Sequence, residues 1–344
     1  MILITGGAGY IGSHTALEFL KNNFDVVILD NIENGHIETI NFLKTQGNLN
    51  FEKADLKDFQ DIDKIFDKYN IDAVIHFAGY IQVEESVENP EKYYTNNVCG
   101  TLNLLRAMNR HNVKRLVFSS TCATYGEPQY TPIDENHPQN PVNPYGETKL
   151  IIEKILSDYD NAYNLKSIKL RYFNVIGAEE KSRIGEWHTP ETHIVPNILK
   201  ACLGETKEFK IYGNDYNTPD GTCIRDYVNV NDLAKAHLLA YNYLIKENKS
   251  DVFNLGTENG ISVKEIFETC EKVVGKKIPV KYEARRAGDA ERLCANSKKA
   301  KTILGWTPIH FLEDSIKSAY EWEKKLVWNG ILRVIQTQKN MNLW

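Results

Sequence analysis

The first fourteen residues join a short apolar run to a glycine-rich turn and then to a helical pattern. Ile2-Leu3-Ile4 precedes the pattern Gly-x-x-Gly-x-x-Gly, whose glycines are Gly6, Gly9 and Gly12. In such a strand-turn-helix the backbone can approach a pyrophosphate, which then lies at the positive end of the helix. Asp30 ends the next apolar run, where a carboxylate accepts hydrogen bonds from an adenosine ribose and repels a 2′-phosphate. The pattern predicts a site for NAD rather than for NADP.

Short apolar runs alternate with helix-sized intervals through the first 175 residues. The runs are continuously apolar, which is typical of parallel strands covered on both faces. They cover residues 2–4, 26–29, 73–77, 116–119 and 167–170. The alternation predicts an α/β fold, with a doubly wound, parallel, Rossmann-type sheet and a smaller mixed α/β lobe at the C-terminal side that binds the substrate.

The amino-acid composition changes after Asn174, because Gly, Pro, His and Glu are frequent from 177 to 196. We therefore expect an NAD-binding domain over residues 1–174 and the smaller lobe over 175–344. A helix-then-strand pattern within 225–255 indicates that the chain returns to the first domain there. Residues beyond about Trp328 carry no clear pattern, and we expect a tail.

Composition excludes several classes of protein. The 344 residues carry 41 basic and 46 acidic side chains, a net charge of −5, so a global cationic field for nucleic acid or an anionic membrane is missing. The six cysteines form no Cys-x-x-Cys pair, which argues against a zinc module and fits a reducing cytoplasm. An apolar run of the roughly 18 residues that span a bilayer is missing as well. We expect a cytoplasmic protein without nucleic-acid or membrane partners.

Tyr145-Gly-Glu-Thr-Lys149 opens a helical pattern in which the phenol and the ammonium share one face. Spacing alone proves little, because Tyr320 and Lys324 have the same spacing in a segment that we interpret as structural. Tyr145 differs because it follows a predicted strand that ends at Thr121. We expect Lys149 and the cationic nicotinamide to lower the pKa of the Tyr145 phenol, so that it acts as acid and base near neutral pH. Thr121 is expected to share the substrate hydroxyl.

With these motifs assembled, the chain resembles the extended short-chain dehydrogenases/reductases and, within them, the UDP-glucose 4-epimerases. The stretches that carry the resemblance are Gly6-Gly-Ala-Gly-Tyr-Ile-Gly-Ser-His14, His76-Phe-Ala-Gly79, Arg171-Tyr-Phe-Asn174, residues 212–228 and Arg285-Arg-Ala-Gly-Asp289. The resemblance implies an isomerase that inverts C4 of a UDP-hexose through a transient 4-keto sugar, with retained NAD. It also implies a homodimer, for which the predicted helix over 144–161 is a candidate face.

The resemblance also assigns residues to the two ligands. The positions that match the family's NAD contacts are Tyr10, Ile11, Asp30, Asn31, Asn34, Asp55, Leu56, Phe77, Ala78, Gly79, Asn96, Tyr145, Lys149 and Tyr172. The positions that match its UDP contacts are Asn174, His193, Ile194, Tyr212, Arg225, Arg286 and Asp289. Leu293 falls against the sugar. Because leucine is smaller than the tyrosine that closes this pocket in some relatives, we expect measurable activity on UDP-N-acetylglucosamine.

Two departures from the family pattern concern these sites. Ile81 stands where many members carry a lysine near the nicotinamide, which puts cofactor retention or electronics in question. His193 stands where asparagine is common. Its pairing with His188 does not predict a metal site, because both lie in a proline-containing loop rather than on a helix, and we expect no metal.

Three alternatives remain open from the sequence. A sugar-nucleotide 4,6-dehydratase shares the fold and cofactor but needs Asp-Glu after the strand-end threonine, where this chain has Cys122-Ala123. A decarboxylase acting on UDP-glucuronate fits the 212–228 segment less well. A protein that binds NAD without catalysis uses the same fold, since fold does not determine function, but Thr121, Tyr145 and Lys149 together argue against it.

Overall fold

The computed structural model of the protein describes residues 1–286, 289–328 and 330. Its strands, in chain order, are β1 (Ile2–Thr5), β2 (Val26–Asp30), β3 (Leu49–Lys53), β4 (Ala73–His76), β5 (Arg115–Thr121), β6 (Lys166–Tyr172), β7 (Asn174–Ile176), β8 (Phe209–Tyr212), β9 (Ile224–Arg225), β10 (Tyr227–Asn229), β11 (Asp251–Leu255), β12 (Ile261–Ser262), β13 (Val280–Glu283) and β14 (Arg292–Leu293).

The α-helices, in chain order, are α1 (Tyr10–Lys21), α2 (Ile37–Lys44), α3 (Phe59–Lys68), α4 (Val83–Glu88), α5 (Pro90–Tyr93), α6 (Gly100–Arg110), α7 (Pro144–Tyr163), α8 (Ile194–Leu203), α9 (Val230–Glu247), α10 (Val263–Val274) and α11 (Leu312–Trp328). A π-helical turn, Tyr94–Cys99, joins α5 to α6. Within the described residues, no helix is both long and apolar enough to cross a bilayer.

Seven parallel strands form the central sheet, in the order β11-β6-β5-β4-β1-β2-β3. The residues of β1, β2 and β4 are buried on both faces, which explains their continuous apolar character. One face packs against α1, α2 and α9, and the other against α3, α6 and α7. This arrangement confirms the predicted doubly wound α/β fold.

The chain leaves the sheet after β6 and comes back to its edge. β11 pairs in parallel with β6, with Phe253 opposite Leu170, and α9, which precedes β11, packs against α1. The segment between these visits forms β7 to β10 and α8. The expected tail beyond Trp328 lies outside the described residues.

The remaining elements form a smaller layer around a second core. α8, α10 and α11 pack together through buried residues such as Ile198, Ile266 and Ile316. Short pairings surround this core: β10 with β7, β13 with β8, and β9 between β12 and β14. Because β9 and β14 are neighbours, Arg225 and Leu293 lie opposite each other, at the side of this layer that faces the end of β5.

Candidate active site

The glycine-rich turn leaves room for a diphosphate. Gly6 has φ +71°, and a Cβ there would lie 2.6 Å from the backbone nitrogen of Ala78. A Cβ on Gly12 would overlap the carbonyl oxygen of Gly6. Gly9 precedes α1, whose first turn carries no acidic side chain that would repel an anion, and the first backbone N–H groups of a helix have no partner within it. The turn is therefore compatible with the pyrophosphate of NAD, and side chains at Gly6 or Gly12 would push its closely packed backbone apart.

The carboxylate of Asp30 lies beside this turn at the end of β2. Its Oδ2 accepts from the backbone N–H of Ala8 at 3.0 Å, and its Oδ1 accepts from that of Ile32 at 2.8 Å. Burial raises the pKa of the carboxyl, and these two hydrogen bonds oppose the rise. The amides hold the carboxylate in place and leave each oxygen a further lone pair for a ribose hydroxyl.

The neighbouring NAD positions follow β2 and β3. Asn31 donates to Oδ2 of Asp55 at 3.0 Å, so these two predicted contacts lie together. Burial raises the pKa of Asp55, but hydrogen bonds from Lys57 and Asn31 outweigh it and lower the pKa overall. Leu56 is buried and Asn34 is exposed on the loop after β2.

The segment after β4 is held by a residue that the sequence analysis missed. Asn97, buried in the π-helical turn, accepts from the N–H of Tyr80 at 2.8 Å and donates to its carbonyl oxygen at 3.1 Å. Asn96 donates to Asn97 at 3.1 Å, and Asn97 also approaches Thr148 of α7 at 3.3 Å. Asn97 therefore fixes Phe77, Ala78 and Gly79 against the helix that carries Tyr145. The signal for it, a second asparagine in a helical segment, is too common to interpret.

The ends of β5 and β6 meet the first turns of α7. Lys149, 3% exposed, donates from Nζ to the carbonyl oxygen of Ser119 at 2.8 Å, and its Nζ lies 6.0 Å from the centre of the Tyr145 ring. Tyr172 hydrogen-bonds through its hydroxyl to Ser119. Thr121 lies opposite Tyr172 in the sheet. The structure thus brings together all three predicted catalytic residues and one predicted cofactor contact.

In the polypeptide alone, burial has the largest effect on the pKa of the Tyr145 phenol, and the combined effect of Lys149 and a bound nicotinamide stays a prediction. Burial raises the pKa of Tyr145 to about 12; the hydroxyl of Thr121 lowers it and Cys122 raises it further. Burial likewise lowers the pKa of the Lys149 ammonium to about 8, against an opposing effect of Glu153. The two pKa shifts have one physical cause. The Lys149 ammonium is directed at the Ser119 carbonyl oxygen, and the ammonium and the Tyr145 phenol both lose water in the same enclosed space.

A buried ion pair lies behind this group. Glu153, one helical turn after Lys149, accepts from Nε of Arg171 at 2.9 Å and from its terminal nitrogen at 2.5 Å. Ser120 donates to the same carboxylate at 2.5 Å, and Arg171 donates to the Tyr125 hydroxyl at 2.9 Å. The pair ties α7 to β5 and β6, and it was missed because its partners lie on different elements.

The predicted UDP contacts form a second group on the smaller layer. The guanidinium of Arg286 lies 5.0 Å from the ring centre of Tyr212 and donates to Oδ2 of Asp289 at 3.0 Å. Oδ1 of Asp289 is 3.5 Å from a terminal nitrogen of Arg225. Arg225 is also anchored by donation to the carbonyl oxygen of Ala290 at 2.7 Å. The structure brings these four predicted residues into one continuous set of contacts.

Leu293 connects the two groups. It lies opposite Arg225 in the sheet and packs, with Cys122, against a core that includes Tyr125 and Phe173. Cys122 directly follows Thr121, and burial raises its pKa to about 12. Leu293 is therefore close to the residues after β5, and its place against the sugar stays a prediction.

Three further predicted UDP contacts lie elsewhere. Asn174 is exposed, and its N–H donates to the carbonyl oxygen of Asp226 at 3.1 Å, which is one residue from Arg225. Ile194 begins α8 and packs on that layer's core. His193 pairs through Nδ1 with Glu186 and Glu191, each at 2.9 Å, rather than with the Arg225 group.

The departure at Ile81 and the predicted NAD contacts at the start of α1 also have a defined structural setting. Ile81 is 40% exposed, and Lys92 of α5 places its Nζ 4.2 Å from the ring centre of the preceding residue, Tyr80. Tyr10, a predicted NAD contact, donates from its hydroxyl to the carbonyl oxygen of Gly177 at 2.6 Å, and Ile11 follows it in the first turn of α1.

The chain is similar to known proteins in both sequence and structure. Residues 3–319 match the family model described as GDP-mannose 4,6 dehydratase. The UDP-glucose 4-epimerase of Lactobacillus helveticus is 50% identical over 324 residues, which are 94% of this chain and 97% of that protein. The crystal structure of the Stenotrophomonas maltophila UDP-glucose 4-epimerase with bound NAD and formylated UDP-arabinopyranose has a TM-score of 0.93 at 35% identity, over 95% of this chain and 99% of that one. The UDP-Glc/GlcNAc 4-epimerase of Campylobacter jejuni has a TM-score of 0.84 at 43% identity, over 94% and 99%.

Proposed function

Since the chain belongs to the UDP-glucose 4-epimerase family, we propose that its own Tyr145, Thr121 and Lys149 carry out the reversible inversion at C4 that interconverts UDP-glucose and UDP-galactose. The enzyme is an isomerase with NAD as its cofactor. The observation that carries the residue assignment is the convergence of Tyr145, Thr121 and Lys149 at the ends of β5 and β6, beside the glycine-rich turn.

In the proposed mechanism, Tyr145 takes the proton of the sugar 4-hydroxyl and later returns it to the oxygen of the 4-keto sugar. Thr121, at the strand end, bridges the sugar oxygen and the phenol. Lys149 donates to the nicotinamide ribose from its place beside Ser119. When bound, NAD would be held by residues such as Asp30, Lys149 and Tyr172, and it would supply the acceptor for the C4 hydride, the donor for its return to the opposite face and a positive charge that opposes the raised pKa of the phenol.

The nucleotide is held away from the reacting carbon. Arg225 and Arg286 bind the diphosphate, Asp289 accepts from the uridine ribose, and the ring of Tyr212 offers a face for uracil. These contacts keep the UDP in place while the keto sugar turns, so remote binding energy serves the chemical step. In this proposal Asn174 and Ile194 complete the UDP contacts from the loop side, and His193 does so through its Nε2, since its Nδ1 faces Glu186 and Glu191.

A direct test follows the C4 proton by NMR. Purified protein, with no added cofactor, is incubated with UDP-galactose, and conversion to UDP-glucose is expected because the cofactor is retained and regenerated. Supplying NAD is the matched second arm, since it separates weak retention, which Ile81 suggests, from a missing activity. Absence of conversion in both arms contradicts the proposed function.

The family model named for a dehydratase does not favour elimination here. A dehydratase needs an acid that expels the C6 hydroxyl, and the positions after Thr121 are Cys122 and Ala123. Burial raises the pKa of the Cys122 thiol to about 12, and alanine has no proton to give. The residues that follow β5 therefore support return of the hydride to C4 rather than loss of water.

We also propose that the pocket accepts N-acetylated UDP-hexoses. The support is Leu293, which borders the Cys122 side of the site, and the likeness to an enzyme named for UDP-Glc and UDP-GlcNAc. The rate with UDP-N-acetylgalactosamine relative to UDP-galactose measures this. Leu293→Tyr is expected to lower that ratio and Leu293→Ser to raise it. If neither wild type nor Leu293→Ser converts UDP-N-acetylgalactosamine, the proposed acceptance of N-acetylated UDP-hexoses is contradicted.

The setting of the enzyme completes the proposal. We place it in the cytoplasm, in galactose metabolism, with residues 1–174 and the return around 225–255 forming the domain that binds NAD. The smaller lobe, together with Asn174 and Arg225 at its border, binds the UDP-sugar. We further propose a homodimer through α6 and α7, where Leu102 is 38% exposed and Ile151 and Ile155 are half-buried. Light scattering on the wild type and on Ile155→Asp tests this, with a dimer and a monomer expected; a monomeric wild type contradicts it.

A further inference from the structure

The connection between β7 and α8 carries the same pair of residue types twice. It reads Glu186-Trp-His188-Thr-Pro-Glu191-Thr-His193, so Glu-x-His occurs at 186–188 and again at 191–193. In the structure the four side chains converge, and one ligand-capable atom from each lies within 4.8 Å of the others. We refer to these four residues as the Glu-His cluster.

The distances in the Glu-His cluster are those of a compact coordination shell. Nδ1 of His193 lies 2.9 Å from an oxygen of Glu186 and 2.9 Å from one of Glu191. Nδ1 of His188 lies 3.4 Å and 3.6 Å from oxygens of the same two residues. Four ligands at about 2.0–2.2 Å around a tetrahedral zinc ion are separated by about 3.3–3.6 Å. The cluster thus needs only small side-chain adjustments to surround such an ion.

An unsatisfied nitrogen points independently to a ligand. The Nδ1 atom of His188 is covered from solvent and has no hydrogen-bond partner among the described residues. Its distances to Glu186 and Glu191 exceed those of a normal N–H···O hydrogen bond. A buried ring nitrogen without a partner is costly, and coordination to a metal ion satisfies it.

The charge around the cluster also favours a cation. The side chains of Glu186 and Glu191 are 6% and 3% exposed. A third carboxyl, Glu323 of α11, is 2% exposed, and burial raises its pKa to about 8, so it adds little negative charge near neutral pH. One divalent ion would neutralise the two ligating carboxylates and leave both imidazoles neutral, the form in which histidine binds metals.

From this geometry we propose that Glu186, His188, Glu191 and His193 form a four-ligand site for a divalent transition-metal ion, with zinc as the best match to two imidazoles and two carboxylates. Because the protein supplies all four ligands, the site is structural. The ion fixes the loop before α8, whose backbone is already tied to α11 by donation from Trp322 to the carbonyl oxygen of Glu186 at 2.8 Å. The inference does not depend on the proposed function.

The test uses metal alone on the full-length protein. Chelator-treated protein is titrated with Co²⁺, whose visible absorption is intense in a four-coordinate site and weak in a six-coordinate one, and then with Zn²⁺ to displace it. We expect one equivalent of Co²⁺ with a four-coordinate spectrum, and displacement by one equivalent of Zn²⁺. A wild type that binds neither ion, or that gives only a six-coordinate spectrum, overturns the proposal.

Variants assign the ligands. His188→Gln and Glu191→Gln are each expected to weaken Zn²⁺ binding by at least about tenfold, since the loss of a supporting group alone costs about 10–100-fold. His111→Gln is the matched control, because His111 belongs to a second acidic group with Asp63 and Asp67 on the other side of the sheet. Equal binding by His188→Gln and wild type overturns the proposal, as does loss of binding in His111→Gln alone. Where a variant does not fold, the Co²⁺ spectrum of the wild type still tests whether a four-coordinate site is present.

Discussion

Two tyrosine-lysine pairs with identical spacing lie in different surroundings. Lys149 of α7 is 3% exposed and donates to a strand-end carbonyl oxygen, with its Nζ 6.0 Å from the Tyr145 ring. Lys324 of α11 lies 4.7 Å from the centre of the Tyr320 ring and pairs with Glu321 at 2.7 Å, and its side chain is 34% exposed. The same helical spacing therefore gives a buried pair only where strand ends enclose it, and only that pair is placed for the proposed chemistry.

Removing the two phenols gives the largest expected contrast. Tyr145→Phe is expected to lower kcat for UDP-galactose by about 10²–10⁴-fold, because a positioned acid and base contributes that much. Tyr320→Phe is expected to leave kcat within about twofold, since Tyr320 packs on the core of the smaller layer. The measurement is kcat under saturating substrate and NAD, with UDP binding measured separately. A Tyr145→Phe variant that turns over normally removes Tyr145 from its proposed role.

The second prediction concerns the buried ion pair of Arg171 and Glu153, which lies behind Lys149. Arg171→Met leaves the Glu153 carboxylate buried without its cation, and we expect the free energy of unfolding to fall by about 3–5 kcal/mol. The side chains of Arg171 and Glu153 are only 6% and 5% exposed. Urea unfolding monitored by fluorescence measures the loss. The double variant Arg171→Met, Glu153→Gln should recover part of it; a single variant as stable as wild type shows that the pair is not buried as described.

The third contrast is a pH dependence of stability. Burial lowers the pKa of Lys149 to about 8 from an ordinary value of 10.5, so between these values the unfolded chain holds more protons than the folded one. Stability from this group therefore rises with pH across that window, by up to about 1.4 kcal/mol per pH unit, and below it the full burial cost applies. Urea unfolding of wild type and Lys149→Met, both freed of NAD, measures the difference at several pH values. A difference that stays constant over the window contradicts the lowered pKa.

Much of the fold is predictable because its signals are local. The apolar runs of β1, β2, β4, β5 and β6 and the pattern before β11 each show in a few neighbouring residues, and the glycine-rich turn shows where the first helix begins. Strand bounds shifted by one or two residues, as for β5, because side chains such as Arg115 and Thr121 at strand ends are polar. The family resemblance supplied the UDP contacts that no spacing rule gives.

The remaining features of the site depend on contacts between residues that are distant in sequence. Arg171 and Glu153 are 18 positions apart on a strand and a helix, and neither shows in sequence that it faces the other. The raised pKa of Tyr145 depends on how fully the end of the sheet excludes water, which spacing does not report. The sequence predicts no metal site from the pairing of His188 with His193, because both lie on a loop where helical spacing has no meaning, and only the folded backbone brings Glu186 and Glu191 to them.

The smallest expected effect concerns the exposed pair itself. Lys324→Met removes a surface ion pair with Glu321, and such pairs contribute about 0–1 kcal/mol because water and salt already screen both charges. We expect the free energy of unfolding to change by no more than about 1 kcal/mol and kcat to stay within about twofold. Lys149→Met, measured beside it, should lose about tenfold or more in kcat, since a hydrogen bond from a charged donor contributes about 1.5–3 kcal/mol. If both lysine variants lost the same activity, burial at the strand ends would not be what separates the two pairs, and α11 would have to act on the site through the loop that Trp322 holds.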